Sequence, residues 1–330
     1  MDRDDPATSP PDDTVGAPAD ARPLHVIGTV GTEQGTTGPD ARPTDPLAHL
    51  SALSPSALLR QLGLRPLKRL SQSFLVDRRV PETVVRAASI APDDQVLEIG
   101  PGLGIMTRVL GRQAARVVAV ELDRGLAAAL TRLVPSNVQL VEGDALQIDP
   151  TDYFTGRYKI VANLPYSITS PFLLRYLDVR PAPLCIVVMI QREVAERILA
   201  ASGALSYLAV AVQSTATVRL VRLVPPTAFH PRPKVESAVI RLDPLAVPLV
   251  APERRTAFLA LVRAGFTQPR KTLANSLAQG LGVPRSEVVG VLERAGIAPE
   301  RRPHELALPE WRTLFEASDE MPSAVPTERT

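Results

Sequence analysis

The chain has 330 residues, 45% of them hydrophobic, and a net charge of +2, so it is long enough for two domains with substantial cores. A single cysteine, Cys185, excludes a disulfide framework and a cysteine-rich metal site, and we expect no bound metal. Apolar runs of about 18 residues are absent and the N-terminus is acidic, which predicts a cytoplasmic protein without a membrane anchor.

Charge is distributed unevenly along the chain. Residues 1–50 contain nine acidic residues and three arginines, a net charge of −6, so the remaining residues together carry +8. A basic body is typical of proteins with a polyanionic partner. Residues 1–50 are rich in Pro, Asp, Thr, Gly and Ala without sustained periodicity, which predicts a disordered tail.

Strand and helix patterns alternate after this tail. Helical spacing predicts helices at 55–70, 81–91, 105–110, 171–177 and 205–214, and apolar β-rich runs predict strands at 95–99, 116–120, 138–141, 158–162, 185–190, 217–224 and 239–242. The alternation predicts an α/β fold with a Rossmann-like sheet over residues 51–245. A proline-rich linker at 244–252 precedes purely helical patterns, so 246–330 are expected to form a small all-helical domain.

A glycine-rich turn follows the first predicted strand of the sheet. Gly100, Gly102 and Gly104 have the spacing G-x-G-x-G between a strand and a helix. This spacing differs from the dinucleotide fingerprint, and no Walker lysine follows it, which argues against NAD and ATP. Glycines let the backbone approach a ligand closely, which suits S-adenosylmethionine because that cofactor has no phosphates.

Acidic residues end the next two predicted strands. Glu121 lies 21 residues after Gly100, where an acid binds ribose hydroxyls in this architecture. Asp144 ends the following strand region, where its carboxylate can accept a hydrogen bond from the adenine amine of a cofactor and Ala145 can donate its backbone N–H. We therefore predict that Glu121, Asp144 and Ala145 bind the cofactor.

The segment Asn163-Leu164-Pro165-Tyr166 follows an apolar strand and is expected to face the crevice beyond the strand ends. Asn163 offers an amide oxygen that accepts from an amine, and Pro165 can hold the Leu164 carbonyl outward as a second acceptor. Tyr166 offers a flat face on which a base can stack. Two acceptors and a stacking plane suit the exocyclic amine of an adenine.

A second motif lies at residues 229–237. Its two prolines keep the loop extended. Phe229 can supply the other face of an aromatic sandwich around a flipped-out base, and Arg232 and Lys234 can meet phosphates.

Taken in order, these motifs resemble those of the ribosomal RNA adenine N6,N6-dimethyltransferase family, and the resemblance spans about 67–315. It includes Gln-Ser-Phe-Leu at 72–75, where the family has Gln-Asn-Phe-Leu, and Phe-x-Pro-x-Pro-Lys-Val-x-Ser at 229–237. It also includes the Arg-Lys-Thr-Leu-Ala-Asn-Ser-Leu segment at 270–277, in which Pro269 replaces a family arginine. The match is greatest to bacterial members that act on the small ribosomal subunit.

The resemblance implies a methyltransferase that uses S-adenosylmethionine to dimethylate N6 of two adjacent adenines near the 3′ end of 16S rRNA. Ser73, Leu75, Gly100, Gly102 and Asn163 would contact the cofactor. Asn163, Leu164, Tyr166 and Phe229 would serve the target base, whereas Arg232, Lys234, Arg270 and Lys271 would bind RNA. The expected partner is the small subunit, bound by a monomer.

Two alternatives remain open at this point. One is a dimethyltransferase of large-subunit (23S) rRNA of the macrolide-resistance type, and the other is a non-catalytic RNA-binding or assembly factor on the same fold. The 270–277 segment favours the small-subunit enzyme, and the intact Asn163–Tyr166 motif argues against loss of catalysis.

Overall fold

The computed structural model describes residues 25–26, 53–67, 70 and 72–319. Apart from His25–Val26, the predicted tail at 1–50 lies outside the described residues, so its disorder remains a prediction. The strands are β1 (His25–Val26), β2 (Phe74–Leu75), β3 (Gln95–Ile99), β4 (Arg116–Glu121), β5 (Val138–Glu142), β6 (Lys159–Asn163), β7 (Ile186–Gln191), β8 (Ala216–Val224), β9 (Phe229–His230) and β10 (Ser237–Pro244).

Eleven α-helices are assigned within these residues. They are α1 (Pro55–Gln61), α2 (Arg79–Ala87), α3 (Ile105–Gln113), α4 (Arg124–Leu130), α5 (Thr169–Asp178), α6 (Arg192–Leu199), α7 (Tyr207–Gln213), α8 (Arg255–Gly265), α9 (Leu273–Leu281), α10 (Arg285–Arg294) and α11 (Leu308–Ser318). Short 3₁₀ turns occur at Pro150–Asp152, Tyr166–Ile168, Pro226–Ala228, Pro252–Arg254 and Pro303–Glu305. None of the helices in the described part of the chain is long and apolar enough to cross a bilayer.

The main sheet has eight strands in the order β1-β5-β4-β3-β6-β7-β10-β8. The five strands from β5 to β7 are parallel, and β1, β10 and β8 pair antiparallel at the two sides. This arrangement confirms the predicted Rossmann-like sheet. Because the order reverses between β3 and β6, the carboxyl ends of these strands border a crevice, where open α/β sheets bind ligands.

Both faces of the parallel part of the sheet are buried, as the near-continuous apolar strands require, whereas the edge strand β8 is largely exposed. Val117 and Ala119 enter the core on one face with α2, α3 and α4, whereas Val118 and Val120 enter the core on the other face with α5, α6 and α7. The period of two along the strand therefore divides the apolar residues between two helical layers.

Two predicted helices differ from the observed ones. The helix predicted over 55–70 ends at Gln61, because Gly63 adopts a left-handed φ of +68° and Pro66 follows. The helix predicted over 81–91 ends at Ala87, just before Ser89, which has a φ of +50°. The small antiparallel sheet of β2 and β9 has no counterpart among the predicted strands.

The C-terminal helices α8 to α11 surround a core of their own that includes the fully buried Trp311. Ala209 and Val210 of α7 also pack into this core, so apolar packing is continuous with the sheet layer. Arg255 adds a polar link because its buried guanidinium contacts Asp178 of α5 and donates to Ser214 Oγ at 3.0 Å. The helical region is confirmed, and the domain boundaries of 51–245 and 246–330 remain a prediction.

Candidate active site

A cavity of about 230 Å³ opens at the carboxyl ends of β3, β4, β5 and β6. All of the residues predicted to contact the cofactor or the target base line it, namely Ser73, Leu75, Gly100, Gly102, Glu121, Asp144, Ala145, Asn163, Leu164, Tyr166 and Phe229. These residues come from four strand ends and two covering segments, so the fold assembles them into one place. Their individual roles remain predictions.

The glycine turn forms one wall of the cavity. Gly100 and Gly102 have φ values of +69° and +58°, in the left-handed region that glycine adopts without steric cost. A Cβ on Gly102 would lie 3.2 Å from the ring of Phe74, which packs over the turn. The turn therefore requires glycine for two reasons: its left-handed backbone conformation and the close contact with the Phe74 ring.

Glu121 ends β4 with its carboxylate directed at the glycine turn. Its two oxygens accept from the backbone N–H groups of Gly102 at 3.1 Å and of Asp123 at 2.9 Å. Burial raises the pKa of Glu121, and these backbone hydrogen bonds act in the opposite direction. Each carboxylate oxygen can accept more than one hydrogen bond, so acceptor capacity remains for a ligand hydroxyl.

Asp123 has a structural role beside this site. Its carboxylate caps α4 by accepting from Gly125 N at 2.9 Å, and it also accepts from Gln72 Nε2 at 2.7 Å. The cap fixes the loop after Glu121 and ties it to the segment that covers the cavity.

Glu98 lies behind the glycine turn and is fully buried. Its carboxyl oxygens make no hydrogen bond of normal geometry within the described part of the chain. Burial raises the pKa of Glu98 to about 8, the nearby Thr107 hydroxyl and Arg108 lower it, and Glu121 raises it further. Glu98 therefore carries its proton at neutral pH, which spares the core an uncompensated charge.

Asp144 and Ala145 follow β5 at the same edge of the sheet. Asp144 accepts from the backbone N–H of Leu146 at 2.9 Å, which holds its side chain in the turn. Tyr176 donates its hydroxyl to the Ala145 carbonyl at 2.8 Å and so anchors the loop to α5.

Asn163 is the last residue of β6, and its side chain lies at the cavity wall. The adjacent Leu164 donates its N–H to Met189 of β7 at 3.2 Å, so the chain beyond the strand remains fixed to the sheet. Tyr166 begins a single 3₁₀ turn, and its hydroxyl lies 3.2 Å from Ser237 Oγ. The end of β6 thus places an amide and an aromatic ring on the wall of the same cavity.

The small sheet of β2 and β9 covers the cavity. Leu75 pairs with Phe229 in this sheet, and the Ser73 hydroxyl donates to the Pro231 carbonyl at 2.5 Å. Phe229 is 6% exposed and forms part of the cavity wall. The cover therefore joins the 72–75 segment to the loop that precedes β10.

The four residues predicted to bind RNA are all exposed. Arg232 and Lys234 lie on the loop after Phe229, beside the cover, whereas Arg270 and Lys271 lie on the turn between α8 and α9. None of the four lines the cavity. Clusters of three or more His, Cys, Asp or Glu side chains suited to a metal are absent from the described residues, which leaves the expected absence of a metal untested.

Sequence reasoning missed Leu122 at the cavity and the contact that Ser237 makes with Tyr166. Leu122 is 56% exposed although it is large and apolar, and it lines the cavity directly after Glu121. The sequence did contain a signal for Leu122, because it is an apolar residue that directly follows Glu121 at the end of β4. Ser237 was recognised only as the last residue of a motif, since its proximity to Tyr166 depends on the pairing of β10.

Comparisons with known proteins agree with this geometry. The sequence profile of the family described as "Ribosomal RNA adenine dimethylase" matches residues 65–317. A "Ribosomal RNA small subunit methyltransferase A" from Pelotomaculum thermopropionicum is 42% identical over 276 residues, which cover 79% of this chain and 94% of the relative. A protein of the same name from Moorella thermoacetica is 42% identical over 272 residues, which cover 78% of this chain and 94% of the relative.

Solved structures of other transferases resemble this fold. A dimethyladenosine transferase from Plasmodium falciparum superimposes with a TM-score of 0.62 at 26% identity, covering 74% of this chain and 97% of its own. The 23S rRNA methyltransferase ErmE superimposes with a TM-score of 0.60 at 30% identity, covering 75% of this chain and 100% of its own. The profile match spans most of the chain and includes every motif at the cavity. The chain therefore belongs to the ribosomal RNA adenine dimethylase family.

Proposed function

We propose that this protein transfers two methyl groups from S-adenosylmethionine to N6 of each of two adjacent adenines near the 3′ end of 16S rRNA. The observation that carries the proposal is the position of Asn163 at the end of β6, where its backbone carbonyl meets the glycine turn and the residue lines the same cavity as Tyr166. The greater identity to small-subunit methyltransferases, 42% against 30% for ErmE, supports the small ribosomal subunit as the partner. We further propose that the protein acts as a monomer in the cytoplasm.

The residues at the cavity fit S-adenosylmethionine. The left-handed glycine turn leaves its backbone open to a ligand without phosphates, and Glu121 has acceptor capacity for ribose hydroxyls. Leu122 presents an exposed apolar surface suited to the adenine ring, and the Asp144 carboxylate can accept from its amine. The cofactor, when bound, supplies an electrophilic methyl group on a sulfonium.

Catalysis then depends on how the protein positions the target amine. In the first transfer, Asn163 Oδ1 and the Leu164 carbonyl accept the two N–H groups of the adenine amine and direct its lone pair toward the methyl group. In the second transfer, the monomethylated amine rotates and donates its one remaining N–H. Tyr166 and Phe229 hold the base between them. The amine loses its proton after attack, so a general base of raised pKa is not required. The acceleration comes from orientation and fixed dipoles.

The exposed basic residues have a separate role in this proposal. Arg232 and Lys234 contact phosphates next to the flipped adenine, because their loop follows Phe229 directly. Arg270 and Lys271 contact RNA farther from the cavity, on the helical domain proposed for 246–330.

The experiment that tests this function supplies labelled S-adenosylmethionine and three substrates from an unmethylated source. These are small subunits, large subunits and naked large-subunit rRNA. Label recovered as dimethyladenosine from the small subunit alone is the expected result. Label in large-subunit RNA would assign the resistance-type activity instead. Cofactor binding without label in any RNA would favour a non-catalytic assembly factor.

A further inference from the structure

A pair of hydroxyl groups joins the wall of the cavity to the sheet. The Tyr166 hydroxyl lies 3.2 Å from Ser237 Oγ, which is within hydrogen-bond distance, and either group can be the donor. Ser237 is 1% exposed, whereas Tyr166 is half-buried and lines the cavity. Within the described part of the chain, neither side chain makes another side-chain hydrogen bond. Among the described residues, each hydroxyl is therefore the hydrogen-bond partner of the other.

The two residues differ in how firmly the backbone holds them. Tyr166 belongs to a 3₁₀ turn of three residues after β6, and this turn has no side-chain cap. Ser237 begins β10, where it pairs with Gln191 of β7 on one side and with Val224 of β8 on the other. The backbone of a residue in a strand that is paired on both sides has little conformational freedom. Ser237 can therefore act as a fixed hydrogen-bond partner for the Tyr166 hydroxyl.

A tyrosine ring rotates about two side-chain bonds. A base that stacks on the ring is held in one orientation only if the plane of the ring is fixed. A hydrogen bond at the tip of the ring restricts both rotations. Without it, the ring keeps its contact area but samples more orientations, and fewer bound bases have their amine in line for transfer.

We propose that Ser237 is a positioning residue that sets the plane of the Tyr166 ring against the target adenine. This inference rests on the proposed function, because it assumes that the adenine stacks on Tyr166. The opposite aromatic ring, Phe229, is held separately by its pairing with Leu75 in the small sheet.

The expected effect is moderate because one neutral hydrogen bond is lost while the ring remains. The kcat should fall about five-fold, the KM for RNA should change less than kcat, and cofactor affinity should not change. Ser237→Ala and Tyr166→Phe remove the same bond from opposite ends. Their effects should therefore not add, and the double variant should be no slower than either single variant.

The experiment compares Ser237→Ala, Tyr166→Phe, the double variant and Tyr166→Ala. Ser318→Ala is the matched control, because Ser318 is 2% exposed and its hydroxyl donates to Phe315 in the helical region. Each protein is assayed for single-turnover methylation. Each is also titrated with RNA that carries 2-aminopurine at the target adenine, whose fluorescence falls when it stacks. A five-fold loss of rate with weaker quenching in both single variants, and none in Ser318→Ala, is the expected result.

Three outcomes would overturn the inference. If Tyr166→Ala retains normal turnover, the stacking assumed in the proposed function fails and the role of Ser237 fails with it. If Tyr166→Ala is inactive while Ser237→Ala and Tyr166→Phe are normal in rate and quenching, only the positioning role fails. Additive losses in the double variant would show that the two hydroxyls act separately. If Ser237→Ala does not fold, Tyr166→Phe tests the same bond by the same readouts.

Discussion

A β-carbon placed on Gly100 would lie 3.0 Å from the backbone carbonyl oxygen of Asn163, so the glycine turn and the end of β6 meet at backbone contact. Neither side can yield cheaply, because the obstructing atom belongs to a strand that is paired on both sides. Gly100 also has a φ of +69°, which disfavours any other residue. The turn that is proposed to hold the cofactor is thereby placed directly against the residue proposed to hold the target amine.

Gly100→Ala should weaken the binding of S-adenosylmethionine at least about ten-fold and destabilise the protein by about 1–3 kcal/mol. Calorimetry and urea unfolding measure the two effects. Gly282→Ala is the control for backbone strain alone, because Gly282 has the same φ of +69° and a β-carbon there would have no atom within 4 Å. Gly156→Ala is a second control, because Gly156 has neither a left-handed φ nor a close neighbour for an added β-carbon. If Gly100→Ala binds the cofactor as tightly as Gly282→Ala does, the contact with Asn163 has no role in binding.

Glu121→Gln should weaken cofactor binding about 10- to 100-fold, since the amide replaces one of two buried acceptor oxygens with a donor. The rate at saturating cofactor should change much less. Glu142→Gln is the matched control, because Glu142 lies opposite Glu121 in the register of β4 and β5 but is only partly buried. Calorimetric titration of both variants measures the difference. Unchanged affinity in Glu121→Gln would refute the assignment to ribose.

The sequence was sufficient for the parts of the fold whose signals are local. Strand periodicity, the glycine turn and the acid at the end of β4 each occupy a short window, and the structure has all three. The strand predicted to end at Val120 ends one residue later, at Glu121, where the apolar run stops. Parallel strands then bring their carboxyl ends together at one edge, which is why the predicted residues share a cavity.

Contacts between distant segments were not predictable in this way. The two-residue strands β2 and β9 are too short for a periodic pattern, and their partners are about 155 residues apart in the chain. Arg255 looks like any exposed arginine at the start of a helix, and its burial depends on Asp178 in another layer. Such features follow from how the layers pack rather than from any one window of sequence.

Asn163→Ala should reduce turnover at least about 100-fold while cofactor binding persists, because the variant loses an acceptor directed at the reacting amine. Rapid-quench methylation and calorimetry separate the two quantities. Asn137→Ala is a contrasting variant, since its amide donates to the Gly111 and Ala114 carbonyls away from the cavity. It should lower stability and leave turnover unchanged. Comparable turnover in Asn163→Ala would remove this residue from the mechanism.

Glu98 should make stability fall with rising pH. Its pKa is about 8 in the folded protein against an ordinary value of 4.5, so between these values the folded state holds a proton that the unfolded state releases. The free energy of unfolding therefore falls by up to about 1.4 kcal/mol per pH unit from about pH 4.5 to about pH 8. Burial also raises the pKa of Glu121 and adds to the same trend.

Glu98→Gln isolates this effect because glutamine keeps the shape of the protonated acid without titrating. Urea unfolding at pH 6 and pH 8 should show a smaller loss of stability in Glu98→Gln than in the unmodified protein. Glu121 is present in both proteins, so the difference between them reports the titration of Glu98 together with its electrostatic coupling to Glu121. Equal losses would mean that Glu98 is ionised in the folded state at both pH values.

Arg255 should contribute more to stability than its neighbour Arg254, because the two arginines differ in burial. Arg255 is almost fully buried and donates to the Ala211 carbonyl at 3.0 Å, in addition to its contacts with Asp178 and Ser214. These bonds connect α8 to α5 and α7, so their loss loosens the helical region from the sheet. Arg255→Met should cost about 2–3 kcal/mol, since charged hydrogen bonds in a buried site are lost.

Arg254→Met is the control for an exposed arginine, because Arg254 is 43% exposed, pairs with the half-exposed Asp319 and has its guanidinium 4.4 Å from the ring centroid of Phe315. An exposed ion pair contributes about 0–1 kcal/mol and an exposed cation–π contact about 0.5–1 kcal/mol, so Arg254→Met should cost less than Arg255→Met. Urea unfolding of both variants compares their stabilities. If the helical region positions Arg270 and Lys271, RNA binding by Arg255→Met should also weaken. Equal costs for the two variants would show that Arg255 does not anchor the helical region. Loss of stability with normal RNA affinity would show that the anchor is structural only.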